Sequence, residues 1–180
     1  MTLRFRRAAP VDAAALANFA ARTFAETFGP DNRAADMEAH LAAAYGEAQQ
    51  GRELANPESI TLVFEGDGGL AAFAQVRQHA PPPSVTVDAT VELQRFYVDS
   101  PWHGRGLAQR LMSSVQETAC ELGGQKLWLT VWERNPRAIA FYAKCGFYDV
   151  GATDFYVGTD RQTDRVMVVE LGHSAPSTVQ

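Results

Sequence analysis

The stretch VELQRFYVDSPWHGRG, residues Val91 to Gly106, decides the fold that the sequence predicts. Its first eight residues are typical of a β-strand, and a short polar corner at residues 99–101 follows them. A helix is predicted next, because apolar residues recur at i, i+4, i+8 and i+15, namely at Leu107, Leu111, Val115 and Leu122. Gly104 and Gly106 therefore lie where a strand gives way to a helix.

Two closely spaced glycines at a helix start can bind an anion. The N–H groups of the first helical turn have no partner within the helix and carry the positive end of its dipole, so they suit a phosphate. Glycine also lets the backbone approach an anion without a Cβ clash. A plain strand-to-helix turn would contain the same two glycines. On this stretch alone both interpretations stay open.

Two common phosphate-binding motifs do not fit the glycine corner. A dinucleotide-binding fold requires G-x-G-x-x-G after its first strand, but here the glycines follow roughly the fourth strand and the third glycine is missing. The P-loop motif G-x-x-x-x-G-K-[ST] is absent from the sequence. A phosphate bound at this corner would therefore belong to another kind of ligand.

The charge of the chain is unevenly spread. The 180 residues carry a net charge of −5, which argues against a nucleic-acid binder that works through a basic surface. Residues 101–146 hold six basic and three acidic residues, a net charge of +3, which leaves −8 for the rest. A basic segment suits an anionic cofactor, and an acidic remainder suits a cationic substrate, although ordinary scatter of charges would look similar.

Metal and membrane functions find no support in the sequence. The four histidines, His40, His79, His103 and His173, and the two cysteines show no metal-ligand spacing, so no metal is expected. No apolar run approaches the roughly 18–20 residues that span a bilayer, and the N-terminus lacks an apolar signal core. We therefore expect a cytoplasmic protein without a membrane or nucleic-acid partner.

The pattern along the chain predicts one mixed α/β domain over residues 1–172 and a flexible tail over 173–180. Apolar alternation and flanking turn residues predict strands over 2–7, 59–64, 70–76, 91–98, 126–132, 147–156 and 165–171. Helical periodicity predicts helices over 11–28, 33–50, 107 to about 123, and 136–145. Residues 158–164 are predicted to be a polar loop.

Two motifs resemble the GNAT superfamily of acetyl-CoA-dependent N-acetyltransferases. His103 to Ala108, HGRGLA, matches the family's Q/R-x-x-G-x-G/A motif, with His in place of the usual Gln or Arg. Asn135 to Phe147 matches its N-x-x-A-x-x-x-Y-x-x-x-G-F signature. The stretches TFAETFG, VELQRFYV, LWLTVWERNPRAIAFY and FYVGTDRQTD further resemble the PaiA-type polyamine acetyltransferases, so the likeness covers most of the chain.

The resemblance implies a GNAT fold, with a mixed, mostly antiparallel sheet of about seven strands flanked by about four helices. It also implies that the strand over Gln94 to Val98 splays from the next strand, so that the pantetheine arm of acetyl-CoA fits the gap and the Val98 N–H polarises the thioester carbonyl. The implied donor-binding positions are Phe96, Tyr97, Val98, His103, Gly104, Arg105, Gly106, Leu107, Ala108, Asn135, Ala138, Phe141 and Lys144.

The same resemblance implies catalytic roles. Tyr142 matches the family's general acid, and a phenol with a pKa near ~10 is a plausible proton donor to a leaving thiolate. Without the motif, an aromatic core residue beside Phe141 would look the same. Glu92 is the candidate base, since it has the period-2 parity of Gln94 and Phe96, although an exposed strand carboxylate would look the same. The candidate acceptor-binding residues are Glu26, Tyr45, Trp132 and Asp160, although structural or solvated side chains would look the same in the sequence.

We therefore expect acetyl transfer from acetyl-CoA to a primary amine by direct attack in a ternary complex. A polyamine such as spermidine is the leading acceptor, and a protein N-terminus, an antibiotic or another small amine is the alternative. A regulatory module that binds CoA without turnover is the alternative outside enzymes. A homodimer is an expectation from the family.

Overall fold

The computed structural model describes residues 2–86 and 88–172. The predicted flexible tail, residues 173–180, lies outside the described residues. The strands are β1 Arg4–Arg7, β2 Ser59–Gly66, β3 Gly69–Arg77, β4 Thr90–Val98, β5 Lys126–Trp132, β6 Tyr148–Val157 and β7 Asp160–Glu170. The helices are α1 Ala13–Phe28, α2 Ala34–Tyr45, α3 Glu47–Ala55, α4 Leu107–Glu121 and α5 Pro136–Lys144.

All seven strands form one sheet in the order β1-β2-β3-β4-β5-β7-β6. Every neighbouring pair is antiparallel except β4 and β5, which are parallel because α4 connects them as a crossover. The predicted GNAT fold, a mixed and mostly antiparallel sheet, is confirmed.

Helices cover both faces of the sheet. One core cluster joins α4 and α5 to one face, through side chains such as Leu111, Val115 and Tyr142. The other cluster joins α1 and α2 to the opposite face, through side chains such as Phe24 and Phe73. In the part of the chain that the structure describes, no helix has the length and apolarity needed to cross a membrane.

β4 and β5 pair over only three residues each and then part. Their register runs from Thr90↔Lys126 to Glu92↔Trp128 and goes no further. β4 also bulges here, because Leu93 lies opposite Val76 and Arg95 opposite Gln75, so Gln94 has no cross-strand partner. Beyond the bulge, β4 and β5 leave a gap between their carboxyl ends, as the resemblance implied.

Two predicted segments differ from the structure. The single helix expected over 33–50 is two helices, because Gly46 adopts an extended conformation with φ −64° and ψ 149° and ends α2. The polar loop expected over 158–164 is a short turn at residues 158–159, and the rest belongs to β7. The loop prediction was wrong because the first residues of β7 are polar, which is also typical of a loop. One of these polar residues, Asp164, lies in the site described below.

Candidate active site

The glycine corner has the backbone that only glycine adopts easily. Gly104 and Gly106 have φ values of +73° and +78°, a region where other L-residues are strained. A Cβ built on either glycine would meet no atom within 4 Å, so this backbone faces open space. Gly106 is the N-cap of α4, and the first N–H groups of that helix are free to bind an anion.

His103 fastens the corner to the end of β4. Its Nε2–H donates a hydrogen bond of 2.8 Å to the Val98 carbonyl, across the turn at Ser100–Trp102. On the other side, Arg22 of α1 donates to Asp99 at 2.7 Å. The corner is therefore held both to its own strand and to the helix on the opposite face of the sheet.

The backbone of β4 is arranged to bind a ligand in the gap. The Asp99 N–H donates to the Ala71 carbonyl at 2.9 Å, so Val98, paired with Ala72, is a non-hydrogen-bonded position toward β3. The N–H of Val98 consequently points toward β5, into the gap, and the same alternation applies to Phe96, two residues earlier. An extended amide-containing chain could pair with these groups as a strand would.

A cavity of about 460 Å³ runs along this gap. Of the predicted donor-binding residues, it is lined by Phe96, Tyr97, Val98, His103, Ala108, Asn135, Ala138 and Phe141. Tyr142 and the predicted acceptor residues Glu26, Tyr45 and Trp132 line it as well. One cavity therefore contains the corner, the splayed strand and side chains from α1 and α2.

Tyr142 lies among aromatic rings on α5. The rings of Phe96, Phe141 and Phe147 lie 5.5–6.2 Å from its own ring. Only 9% of the residue is exposed, and this burial raises the pKa of the Tyr142 phenol well above its ordinary value of 10. The phenol therefore stays protonated over the physiological range and can act as a proton donor. Asn135 begins this helix, and its Oδ1 accepts a hydrogen bond from the Ala138 N–H at 3.1 Å.

Aromatic side chains form the wall contributed by α1 and α2. His40 stacks on Phe24 with ring centres 4.8 Å apart, and Phe28 meets Trp132 edge-on at 5.9 Å. Phe155 of β6 lines the same wall. Rings of this kind can contact both methylene groups and cations.

Tyr45 is held in place by a buried ion pair. Arg95, 8% exposed, pairs with Glu53 of α3, and its guanidinium carbon lies 4.9 Å from the centre of the Tyr45 ring. The Tyr45 and Tyr97 hydroxyls are 2.8 Å apart, and burial raises the pKa of both phenols. This network joins α2 and α3 to β4 and fixes one side of the cavity.

Asp164 is a cavity residue that the sequence did not single out. It lies on β7 opposite Trp132 of β5, is 5% exposed, and lines the cavity. Its Oδ1 is buried and has no hydrogen-bond partner among the described residues. Burial raises the pKa of Asp164 to about 6, and the nearby Thr130 hydroxyl opposes this rise.

Two predicted side chains lie elsewhere. Glu92 accepts a hydrogen bond from Arg77 Nε at 2.5 Å, and within the described chain it does not line the cavity. The bulge at Gln94 puts Glu92 on the face of Arg95 instead of Phe96. At Glu92, β4 is still paired with β5, so this residue lies before the gap opens. Asp160 accepts from Gln162 at 2.8 Å and is likewise outside the described lining.

The other predicted donor residues are not part of the described cavity lining. Leu107 is 2% exposed in the core, so only its backbone could contact a ligand. Gly104, Arg105 and Gly106 belong to the corner, where the Arg105 guanidinium lies 5.8 Å from the centre of the Trp102 ring. Lys144 is exposed at the end of α5 and does not belong to the described cavity lining.

Comparison with known proteins agrees with this geometry. The family model described as the acetyltransferase (GNAT) family matches residues 15–147, more than half of the chain. The chain belongs to this family. An uncharacterized N-acetyltransferase of Mycobacterium tuberculosis is 34% identical over 164 residues, which cover 89% of this chain and 98% of that protein.

Two further GNAT proteins are similar over most of their length. The spermine/spermidine N(1)-acetyltransferase of Bacillus subtilis is 28% identical over 150 residues, 78% of this chain and 93% of the relative. The crystal structure of the PaiA N-acetyltransferase from Thermoplasma acidophilum, in complex with coenzyme A, superimposes with a TM-score of 0.75 at 18% identity, covering 94% of this chain and 99% of that one. The second likeness concerns the fold.

As a member of the GNAT family, the protein is an acetyl-CoA-dependent N-acetyltransferase. Its own residues fit this donor: the gap beside Val98 presents strand backbone, and the corner presents an open helix N-terminus. Among residues 2–86 and 88–172 there is no group of three or more His, Cys, Asp or Glu side chains that could hold a metal ion.

Proposed function

We propose that this GNAT enzyme acetylates a primary amine, a polyamine such as spermidine first among them, by direct attack in a ternary complex. The observation that carries the proposal is the single cavity that joins the β4–β5 gap to an aromatic, acidic chamber under α1 and α2. Donor and acceptor can meet in one such cavity. The acetyl thioester supplies an activated carbonyl carbon when the donor is bound.

The donor roles follow from the backbone. The free N–H groups at the start of α4 suit the pyrophosphate of acetyl-CoA, and the Val98 N–H suits its thioester carbonyl. As the amine attacks, that carbonyl oxygen gains negative charge. A hydrogen-bond donor that is already in position stabilises this charge by ~2.7–4 kcal/mol in comparable sites. His103 supports the arrangement because it binds the Val98 carbonyl and so fixes the peptide planes at the end of β4.

Tyr142 is proposed to donate a proton to the leaving sulfur. Its raised pKa keeps the hydroxyl protonated at neutral pH, so a proton is present when the departing thiolate forms beside it. A covalent acyl-cysteine route is not favoured, because Cys145 lies outside the described cavity lining and burial raises the pKa of its thiol. Direct attack requires only groups that line the cavity.

The acceptor chamber supports a cationic amine with an apolar chain. Phe24, Trp132 and Phe155 supply faces for methylene groups and cations. Asp164 supplies negative charge, and so does Glu26, which also pairs with Arg22 at 3.2 Å. The similarity to the Bacillus subtilis spermine/spermidine enzyme, 28% identical, agrees with this chemistry. A monoamine or an antibiotic amine would use the same proton chemistry but would need fewer of these contacts.

An amine panel tests the proposal. Thiol release from acetyl-CoA is measured with spermidine, spermine, putrescine, an N-terminal peptide and streptothricin, together with acetyl-CoA alone as the background. We expect the highest kcat/KM with spermidine or spermine. A peptide or streptothricin as the best acceptor would refute the polyamine assignment. Tight CoA binding without turnover of any amine would refute catalysis and favour a regulatory module.

A further inference from the structure

The Asp164 carboxylate lines the cavity, and one of its two oxygens has no hydrogen-bond partner in the described structure. The residue is 5% exposed, and the unpartnered atom is Oδ1. Buried charges in proteins are normally paired or bind a cation, because desolvation of an unpaired charge is unfavourable. The position therefore suits a ligand that brings a positive charge and a hydrogen-bond donor.

The register of the sheet places Asp164 beside Trp132 in the acceptor chamber. Trp132 is its cross-strand neighbour on β5, and Thr153 is its neighbour on β6. Trp132 is the last residue of β5, so Asp164 lies beside the carboxyl end of that strand, where β4 and β5 have parted. A cationic group held between Trp132 and Asp164 would have an aromatic surface on one side and a carboxylate on the other.

We propose that Asp164 binds the ammonium group of the amine that becomes acetylated, and takes up the proton that this amine must lose before it attacks. The inference rests on the proposed amine acetylation. It assigns to Asp164 the role of base that the sequence suggested for Glu92, whose carboxylate is bonded to Arg77.

The protons and electrons balance as follows. Asp164 takes a proton from the ammonium, and the freed lone pair of nitrogen forms the C–N bond at the thioester carbonyl carbon. As the C–S bond breaks, its electron pair stays on sulfur, and the Tyr142 hydroxyl gives that sulfur a proton. The Tyr142 phenolate then recovers a proton from the acylated nitrogen, and Asp164 releases its own to solvent. The net products are an N-acetyl amine, a thiol and one proton.

The protonation state of Asp164 suits this task. Because burial raises its pKa to about 6, the carboxylate remains about nine-tenths ionised at pH 7 and is still a better base than an ordinary aspartate. Other titratable or charged side chains face the same cavity or lie at its edge: Glu26, His40, Tyr45, Arg95, Tyr97, His103, Glu133, Arg137 and Tyr142. Burial lowers the pKa of His40, which makes His40 the competing source of an acid limb.

The test compares Asp164→Asn with Asp160→Asn, a matched control on the same strand. In the wild type, kcat/KM for spermidine should fall as the pH drops below about 6, because the carboxylate becomes protonated. Asp164→Asn should lose about 100-fold in kcat/KM at pH 7 and show no such limb; instead its rate should rise about tenfold per pH unit with the free-amine fraction. Asp160→Asn should keep the wild-type limb, and the KM for acetyl-CoA should stay within about twofold in both variants.

Three outcomes would overturn the inference. An Asp164→Asn enzyme with wild-type kcat/KM would overturn this inference but not the proposed function. So would a slower Asp164→Asn enzyme that keeps the acid limb of the pH profile, since His40 would then be the source of that limb. Calorimetry with spermidine and wild-type enzyme saturated with CoA needs no variant, and binding there should weaken as the pH falls through about 6. Affinity that does not change with pH would overturn the inference. If the wild type neither binds nor acetylates any amine, the proposed function fails as well.

Discussion

Replacing Asp164 with asparagine should stabilise the protein at neutral pH, although it should slow the reaction. The folded-state pKa of this carboxyl is raised from 3.8 to about 6 by burial. The folded protein therefore binds the Asp164 proton more tightly than the unfolded chain does. Its contribution to the free energy of unfolding becomes less favourable as the pH rises from about 4 to about 6, and stays constant above that.

The size of the effect follows from the pKa difference. A rise of about two pKa units corresponds to roughly 3 kcal/mol of destabilisation at pH 7, at 1.36 kcal/mol per unit. This is an upper bound for Asp164→Asn, because the new carboxamide would also lack partners in the same buried position. For a chain of this length the unfolding midpoint should rise by up to roughly 6–12 °C at pH 7, and by almost nothing near pH 4.

Thermal unfolding of both proteins at several pH values between about 4 and 8 measures this difference. Asp12→Asn provides a control of opposite sign, because the Arg6 hydrogen bonds lower the pKa of Asp12. Asp12 contributes stability that is present above its ordinary pKa and lost as the pH falls, so its variant should be less stable at pH 7. The difference in unfolding midpoint between Asp164→Asn and the wild type should grow from pH 4 to pH 6. If it does not, burial does not destabilise the ionised carboxylate in the folded protein and the reasoning fails.

Three further variants and one control, Gly69→Ala, test the acetyl-CoA side of the site and two candidate proton-transfer groups. Tyr142→Phe should lower kcat by about 100-fold or more while acetyl-CoA affinity stays within about twofold; a wild-type kcat would remove Tyr142 from the mechanism. Gly106→Ala and Gly69→Ala should each lose about 1–2 kcal/mol in unfolding experiments, since both glycines have positive φ and open space around a new Cβ, but only Gly106→Ala should raise the Kd for CoA. Glu92→Gln should lose about 1 kcal/mol of stability with the pH–rate profile unchanged, because its partner is Arg77; a lost acid limb would restore Glu92 as the base.

The backbone geometry around the β4–β5 gap could be predicted from the sequence because local chemistry determines it. Positive φ at Gly104 and Gly106, the N-cap at Asn135 and the apolar run of β5 are each set by a few adjacent residues. The predicted range of β5, residues 126–132, coincides with the structure. Motifs of this kind can be recognised without knowing which strands pair.

The acceptor side depends on strand pairing that a single sequence does not display. Glu92 shares a face with Phe96 only if β4 is regular, but the bulge at Gln94 makes it irregular, and Glu92 lies where β4 still pairs with β5. Asp164 stands in a polar run that imitates a loop, yet pairing with Trp132 puts it into an aromatic chamber. A β-bulge and a cross-strand register both arise from contacts between distant segments.

The same bulge connects the two halves of the site. It coincides with the point after Glu92 where β4 and β5 part, beyond which the Val98 N–H faces the gap, and it turns Arg95 toward Glu53 and Tyr45 on the opposite face. We therefore expect this one extra residue both to open the groove beside Val98 and to fix the cavity wall that Arg95 and Tyr45 form. Because both effects depend on the same residue, deletion of Gln94 should disturb donor binding and acceptor binding together, whereas a substitution at Tyr45 should affect the acceptor alone.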